Sequence, residues 1–108
     1  RWGENILTQL KKCTAVVCYN DQIAVKLISF LRGYGIDVPR DISVVGFDDA
    51  LLSLIEVPLT TMAHPKEMAG RVAAQNLLQL IDNPSANASF VFPPQLVERQ
   101  SVRDLRND

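Results

Sequence analysis

No sign of charge dominates this sequence. Its 108 residues carry 11 Lys and Arg against 12 Asp and Glu, a formal net charge of −1. A nucleic-acid surface needs a basic excess, because binding is driven by displacing counterions from phosphates. Any DNA-reading element is therefore expected outside these residues. Long apolar runs are missing as well: none approaches the roughly 20 residues that a bilayer-spanning helix needs. The opening stretch RWGENILTQL holds no uninterrupted apolar segment of the kind that directs secretion. The first residue is Arg1 and not Met, so the sequence reads as a fragment and the missing leader weighs little. No internal repeat is present.

Cysteine and histidine are scarce. The two cysteines, Cys13 and Cys18, bracket the stretch TAVV. In an extended strand, five residues at about 3.3 Å each separate them by roughly 16 Å. A disulfide needs Cα atoms about 4.4–6.8 Å apart, so both are expected as free thiols, the state that suits the cytosol. With a single histidine, no His or Cys spacing suggests a metal site, and no cofactor is expected. Neither a G-x-S-x-G elbow nor a G-x-G-x-x-G loop occurs, which removes two common signatures of enzyme chemistry. The sequence therefore predicts no enzyme.

What is present is the composition of one soluble globular domain, 47% hydrophobic and 21% charged. Trp2, Ile6, Leu7 and Leu10 recur at helical spacing over residues 2–11. Ala15 to Cys18 form a strand that is apolar on both faces. Asn20 can cap the next helix, and Asp21 lies where the helix dipole favours an acid. Ile23, Ala24, Leu27, Ile28 and Leu31 line one face of that helix, and Gly33, Gly35 and Pro39 stop it. Ile42 to Phe47 read as a second strand. Strands that are apolar on both faces belong to parallel sheets covered by helices, so residues 14–47 predict a strand–helix–strand unit. ALLSLIEV, residues 50–57, commits to neither helix nor strand. PLTTM, residues 58–62, predicts a short edge strand behind its proline. A long helix follows from Pro65, its apolar face carried by Met68, Val72, Ala73, Leu77, Leu80 and Ile81. FVFPP and QLVERQSV predict one or two short strands, and RDLRND a frayed tail. This is too little parallel sheet to cover itself, so the rest of the fold is expected elsewhere.

The stretch DISVVGFDDA places two carboxylates, Asp48 and Asp49, directly after a buried strand. In an open α/β sheet, ligands bind outside the carboxyl ends of the strands. A right-handed crossover brings Asn20, at the end of the first strand, to the same rim as Asp48. An ionised carboxylate only accepts hydrogen bonds, while an amide donates and accepts. Together they suit a neutral polyhydroxylated ligand such as a sugar. A structural account stands beside this one. Asn20 is a cap in either case, Asp48 and Asp49 are common turn formers, and for Asp49, Asp21 and Tyr19 structure is the simpler role. A magnesium pocket at Asp48–Asp49 would need a lysine and a hydroxyl at later strand ends. Met62–Ala63–His64 does not supply them.

CYNDQIAV, GIDVPRDISVVGFDDA, PLTTMAHP and PPQLVERQSV, in that order, resemble the effector-binding domain of LacI/GalR-type transcriptional repressors. The resemblance runs from about Thr14 to Val102. CYND and HPKEMAG look more like the family's arabinose repressors than its lactose or purine members. The resemblance implies a partial α/β fold, a periplasmic-binding-protein-like parallel sheet sandwich of type I. Residues 1–62 would belong to the C-terminal lobe, and 63–108 to a hinge crossing and a segment packing on the N-terminal lobe. By position, Asn20 and Asp48 match the family's ligand contacts. His64 matches a hinge position bordering the ligand, where lactose-type members have glutamine. Tyr19 and Asp49 fall on the possible ligand rim. Leu51, Leu52, Leu54 and Ile55 fall in part of the dimer interface. Four aliphatic residues in five positions cannot all point inward, and the remainder wants a partner.

The implied protein is a cytoplasmic homodimeric repressor with no membrane partner. A small sugar, L-arabinose among the candidates, changes its affinity for operator DNA, which is held by a headpiece outside this chain. The alternative is a periplasmic sugar-binding protein of a transporter, with the same fold.

Overall fold

The computed structural model describes residues 2–50 and 56–107. Leu51, Leu52, Leu54 and Ile55, the run assigned to a dimer interface, lie outside the described residues. In chain order the elements are α1 (Trp2–Leu10), β1 (Ala15–Val17), α2 (Asp21–Arg32), β2 (Ser43–Val45), β3 (Thr61–Ala63), α3 (Lys66–Asp82), β4 (Gln95–Val97) and a short 3-10 turn, Leu105–Asn107. They form two compact units, Arg1–Ala63 with Leu96–Asp108, and His64–Gln95. The resemblance implies that 1–62 belong to one lobe and that 63–108 cross a hinge and pack on the other. In the structure the chain returns, and residues 96–108 pack with the first unit.

In the first unit, β1 and β2 pair in parallel with Val16 opposite Val44, and α2 is the crossover between them. The helix obeys its sequence signals. Asn20 takes an extended conformation and its side chain accepts a hydrogen bond from Ile23 N. Ala24, Ile28 and Leu31, at helical spacing, are buried against the sheet side. Gly33 is still right-handed at φ −59°, and the left-handed residue that turns the chain is Gly35, at φ +74°. Leu31 and Leu59 are fully buried with Val44, so truncating either leucine to alanine costs about 2–5 kcal/mol.

Both edges of β2 are occupied. On one side Ser43 N donates to Thr14 O at 3.0 Å, and Cys18 N donates to Val45 O at 2.8 Å. On the other, Val44 N donates to Ser101 O and Gly46 N to Thr60 O, both at 2.9 Å. Ser101 is fully buried; its hydroxyl donates to Val44 O and accepts from Thr60 N. Those bonds explain why the C-terminal segment returns to the first unit. They also start the tail firmly: Arg103 N donates to Ser43 Oγ at 3.0 Å, where the sequence predicts fraying from residue 103.

PLTTM is not an edge strand. Thr60 forms a parallel bridge with Val45, and β3 pairs with β4. Pro58 precedes the ladder and contributes only its carbonyl, which accepts from Gln100 N at 3.0 Å. β1 departs from expectation in the opposite sense: Val17 is 79% and Tyr19 83% exposed, so burial on both faces holds for β2 only.

The second unit is α3 and the segment that follows it. Pro65 stands at the N-cap without a side-chain bond, and Asn83 ends the helix by donating N–H to Gln79 O. The Asn83 side chain accepts from Ser85 N at 3.2 Å, and Asn76 Nδ2 reaches back to Ala88 O at 2.9 Å. Phe90 and Phe92 stack with centroids 4.6 Å apart beside Val72, Leu77 and Leu80. FVFPP forms no strand; only Gln95–Val97 does. No residue of α3 is buried, and its apolar face (Met68, Leu77 and Ile81 among it) is exposed.

Candidate functional site

The parallel pairing of β1 and β2 decides where the candidate residues go. One rung beyond the strands, Asp21 N donates to Phe47 O at 3.0 Å, which ties the end of β1 to the end of β2. Asn20 and Asp48 flank this rung and so share one rim, as the topology requires. Asn20 Oδ1 accepts from Ile23 N at 2.9 Å, so its cap role uses the amide oxygen and directs that group toward the helix.

The Asp48–Asp49 turn is strained. Asp48 has φ +111° and Asp49 φ +54°. Asp tolerates the left-handed region near +57°, but +111° lies beyond it, and a non-glycine residue held in a sparsely populated region costs of order 1–3 kcal/mol. Such a conformation persists only where its neighbours enforce it. Here Asp48 N donates to Met62 O at 2.9 Å and Asp49 N to Thr61 Oγ1 at 3.4 Å. Ala50 N donates to Asp21 Oδ2 at 2.8 Å. The Thr61 hydroxyl donates in turn to Asp21 Oδ1 at 2.6 Å.

Asp21 is the hub of this arrangement. It is 2% exposed, sits in the first turn of α2 where the helix dipole favours a negative charge, and both its oxygens accept hydrogen bonds. Gly46 faces it so closely that an added Cβ would lie 2.2 Å from Asp21 Oδ1.

Asp49 is engaged as well. Arg99 Nη2 donates to its Oδ1 at 2.7 Å, Arg99 Nη1 donates to Leu59 O at 2.9 Å, and Arg99 N donates to Thr60 Oγ1 at 2.9 Å. Asp49 is neutralised by a guanidinium, which is not how two acids chelate a magnesium ion. Tyr19 lies in a shallow apolar depression with Val17, Ile23, Leu27 and Phe30 on the open side of β1 and α2. His64 is partly buried at the start of the second unit, where its carbonyl accepts from Lys66 N at 2.8 Å.

Sequence reasoning missed Arg99 and Thr61 as parts of the site and took Asp21 only as a helix-dipole acid. Two adjacent acids on one turn were a signal that one of them needs a cation, and Arg99 in QLVERQSV is the cation that meets it.

Residues 1–102 match the family model described as a periplasmic binding protein-like domain. The chain is 42% identical over 95 residues to the arabinose metabolism transcriptional repressor of Geobacillus stearothermophilus, covering 85% of this chain and 26% of that protein. Among solved structures, the lac repressor dimer bound to operator and the anti-inducer ONPF superposes with a TM-score of 0.78 at 30% identity, over 93% of this chain and 37% of the repressor chain. The complex of the transcriptional regulator CelR with cellobiose superposes with a TM-score of 0.81 at 29% identity, over 92% of this chain and 31% of the other. The chain therefore spans only about a quarter to two fifths of the proteins it resembles. A parallel β1–α2–β2 unit with its polar residues on the carboxyl rim, and a family match from residue 1 to 102, give one conclusion: the chain belongs to the periplasmic binding protein-like domain family, and within it resembles LacI/GalR-type regulators.

Proposed function

We propose that this chain is part of the effector-binding domain of a sugar-responsive transcriptional repressor. The observation that carries the reading is the rim itself. An amide (Asn20) and a carboxylate (Asp48) stand at the carboxyl ends of adjacent parallel strands, the carboxylate on a turn held at φ +111° by bonds from several segments. Strain that is maintained rather than relaxed is typical of binding positions. Sugar hydroxyls would donate to the Asp48 carboxylate, and the amide NH2 of Asn20 would donate to a sugar oxygen, while its Oδ1 serves the cap. By its position in the family resemblance His64 would be a further ligand contact, and Tyr19 would stand at the outer rim.

In this reading the first unit belongs to one lobe and His64–Gln95 to the other. Ligand binding would change the populations of two lobe arrangements and so the affinity for operator DNA, held by a headpiece outside this chain. The protein would act in the cytoplasm as a homodimer, with Leu51, Leu52, Leu54 and Ile55 at the interface, and would bind its effector without turning it over. L-arabinose is the first candidate, given the 42% identity to an arabinose repressor. Cellobiose is a second probe, because the CelR structure holds it. The test is a thermal-shift screen of the intact protein with L-arabinose, cellobiose and further pentoses and hexoses. A ligand at about 100 times its Kd stabilises by about 2.7 kcal/mol, a shift of several degrees. An unchanged melting temperature with every sugar refutes the reading.

A further inference from the structure

We propose that Arg99 is a positioning residue for the ligand aspartate: through Asp49 it holds the Asp48–Asp49 turn in the conformation that presents Asp48 to the rim. This inference rests on the reading of Asp48 proposed above. The turn has two consecutive residues at positive φ and neither is glycine, so its shape is not one the local chain prefers. The shape must be imposed, and the structure shows two clamps that impose it.

The inner clamp is the Asp21–Thr61 pair, which takes up the N–H groups of Asp49 and Ala50. The outer clamp is Arg99. Its guanidinium spans from the Leu59 carbonyl, just before β3, to the Asp49 carboxylate on the turn. One planar group with fixed donor directions thereby sets the distance between the fully buried Leu59 and the turn. Arg99 itself is anchored by its own N–H on Thr60 Oγ1. Asp48 directly precedes the clamped residues, with its own N–H on Met62 O. Removing Arg99 leaves Asp49 free to change rotamer and the turn free to relax toward negative φ. That relaxation rotates the Asp48 carboxylate away from the rim without disturbing the buried core beneath.

The consequence is that affinity depends on two residues that touch no ligand, and that their effects are not independent. Titration calorimetry on the intact protein with L-arabinose, and separately with cellobiose, tests this. Arg99→Met is expected to weaken binding about tenfold, and Asp49→Asn to do the same. The double variant should be no weaker than Arg99→Met alone, because Asp49→Asn acts only through the Arg99–Asp49 pair that Arg99→Met already removes. Arg99→Lys, which keeps a charge near Asp49 but loses the planar fork that also reaches Leu59 O, should recover affinity only in part. Melting temperatures taken in parallel separate this from a stability effect, with calorimetry performed well below the lowest of them. If Arg99→Met does not fold, the isosteric Asp49→Asn carries the comparison. The proposal is overturned if Arg99→Met and Asp49→Asn lower the melting temperature but leave affinity within twofold, if their losses add, or if Arg99→Lys is as weak as Arg99→Met. Loss of affinity in Asp48→Asn alone would overturn this inference while sparing the functional reading. Wild-type protein that binds neither sugar would overturn the functional reading first, and this inference with it.

Discussion

Gly46→Ala is expected to be among the most damaging single-methyl changes in the chain. The new Cβ would meet Asp21 Oδ1 at 2.2 Å, Leu59 Cδ2 at 2.8 Å and Asp21 Cα at 3.2 Å. A relaxed non-bonded contact needs about 3.5–4.0 Å between carbons. Leu59 Cδ2 is the end of a side chain, yet Leu59 is 1% exposed and has little room to turn. Asp21 cannot swing aside cheaply, because its two oxygens are bonded to Thr61 Oγ1 and Ala50 N. Relief therefore requires overpacking of the core, about 1–3 kcal/mol, together with loss of at least one hydrogen bond to a buried charge, about 1.5–3 kcal/mol. The expected destabilisation is about 3–6 kcal/mol, a large part of the 5–15 kcal/mol typical of a whole domain. Urea unfolding of the intact protein, followed by circular dichroism, measures it as a fall in the midpoint at constant slope. Gly70→Ala is the matched control. It lies within α3, an added Cβ meets nothing within 4 Å, and it should stabilise that helix by about 0.5–1 kcal/mol. A Gly46→Ala midpoint equivalent to less than about 1 kcal/mol of change would refute the close packing of Asp21 beneath the turn.

Three further outcomes are expected. Asp48→Asn keeps the side-chain shape and removes the charge; a hydrogen bond to a charged group contributes about 1.5–3 kcal/mol, so sugar affinity by calorimetry should fall by about one to two orders of magnitude while the fold is retained. Leu54→Asp should shift the intact protein from dimer toward monomer in light scattering at micromolar concentration, and a monomeric wild type would remove the basis for that interface. Burial pushes the Cys18 thiol above its ordinary pKa, whereas Cys13 is exposed. The thiolate is the reactive form, so peptide-resolved iodoacetamide labelling of the native protein at pH 8 should modify Cys13 first and Cys18 only slowly; equal rates would mean that Cys18 is open to solvent.

The parts of the fold that were legible in the sequence are those with short-range signals. Asn20, the Ile23–Leu31 face and the apolar ISVV strand each announce themselves within a dozen residues, and the β1–α2–β2 unit follows from them. The shared rim of Asn20 and Asp48 needs only the rule that parallel strands end on one edge. What was not legible depends on contacts between distant positions. Thr61 meets Asp21 across 40 positions and Arg99 meets Asp49 across 50, and no periodicity encodes such a pairing. Pro58 misled for a definite reason: a proline marks a missing donor, but the donors that build this ladder begin at Thr60, two residues on. The exposed face of α3 shows the converse limit, since its 3.6-residue pattern is plain while the surface that would cover it is not among the described residues.

The same division explains why the acid pair looked ambiguous in one dimension. Both aspartates are good turn formers and both are acids, so composition and spacing treat them alike. A long-range contact gives Asp49 a defined role. One carboxylate is matched to Arg99 and fixes the turn, and that fixed turn sets the other at φ +111°, where intrinsic preference would not place it. A pair in which one member bears the structural role leaves the second with its orientation already set. Were a ligand to bind Asp48 as proposed, less conformational entropy would be lost on binding, a physical gain from placing two aspartates where one would make a turn.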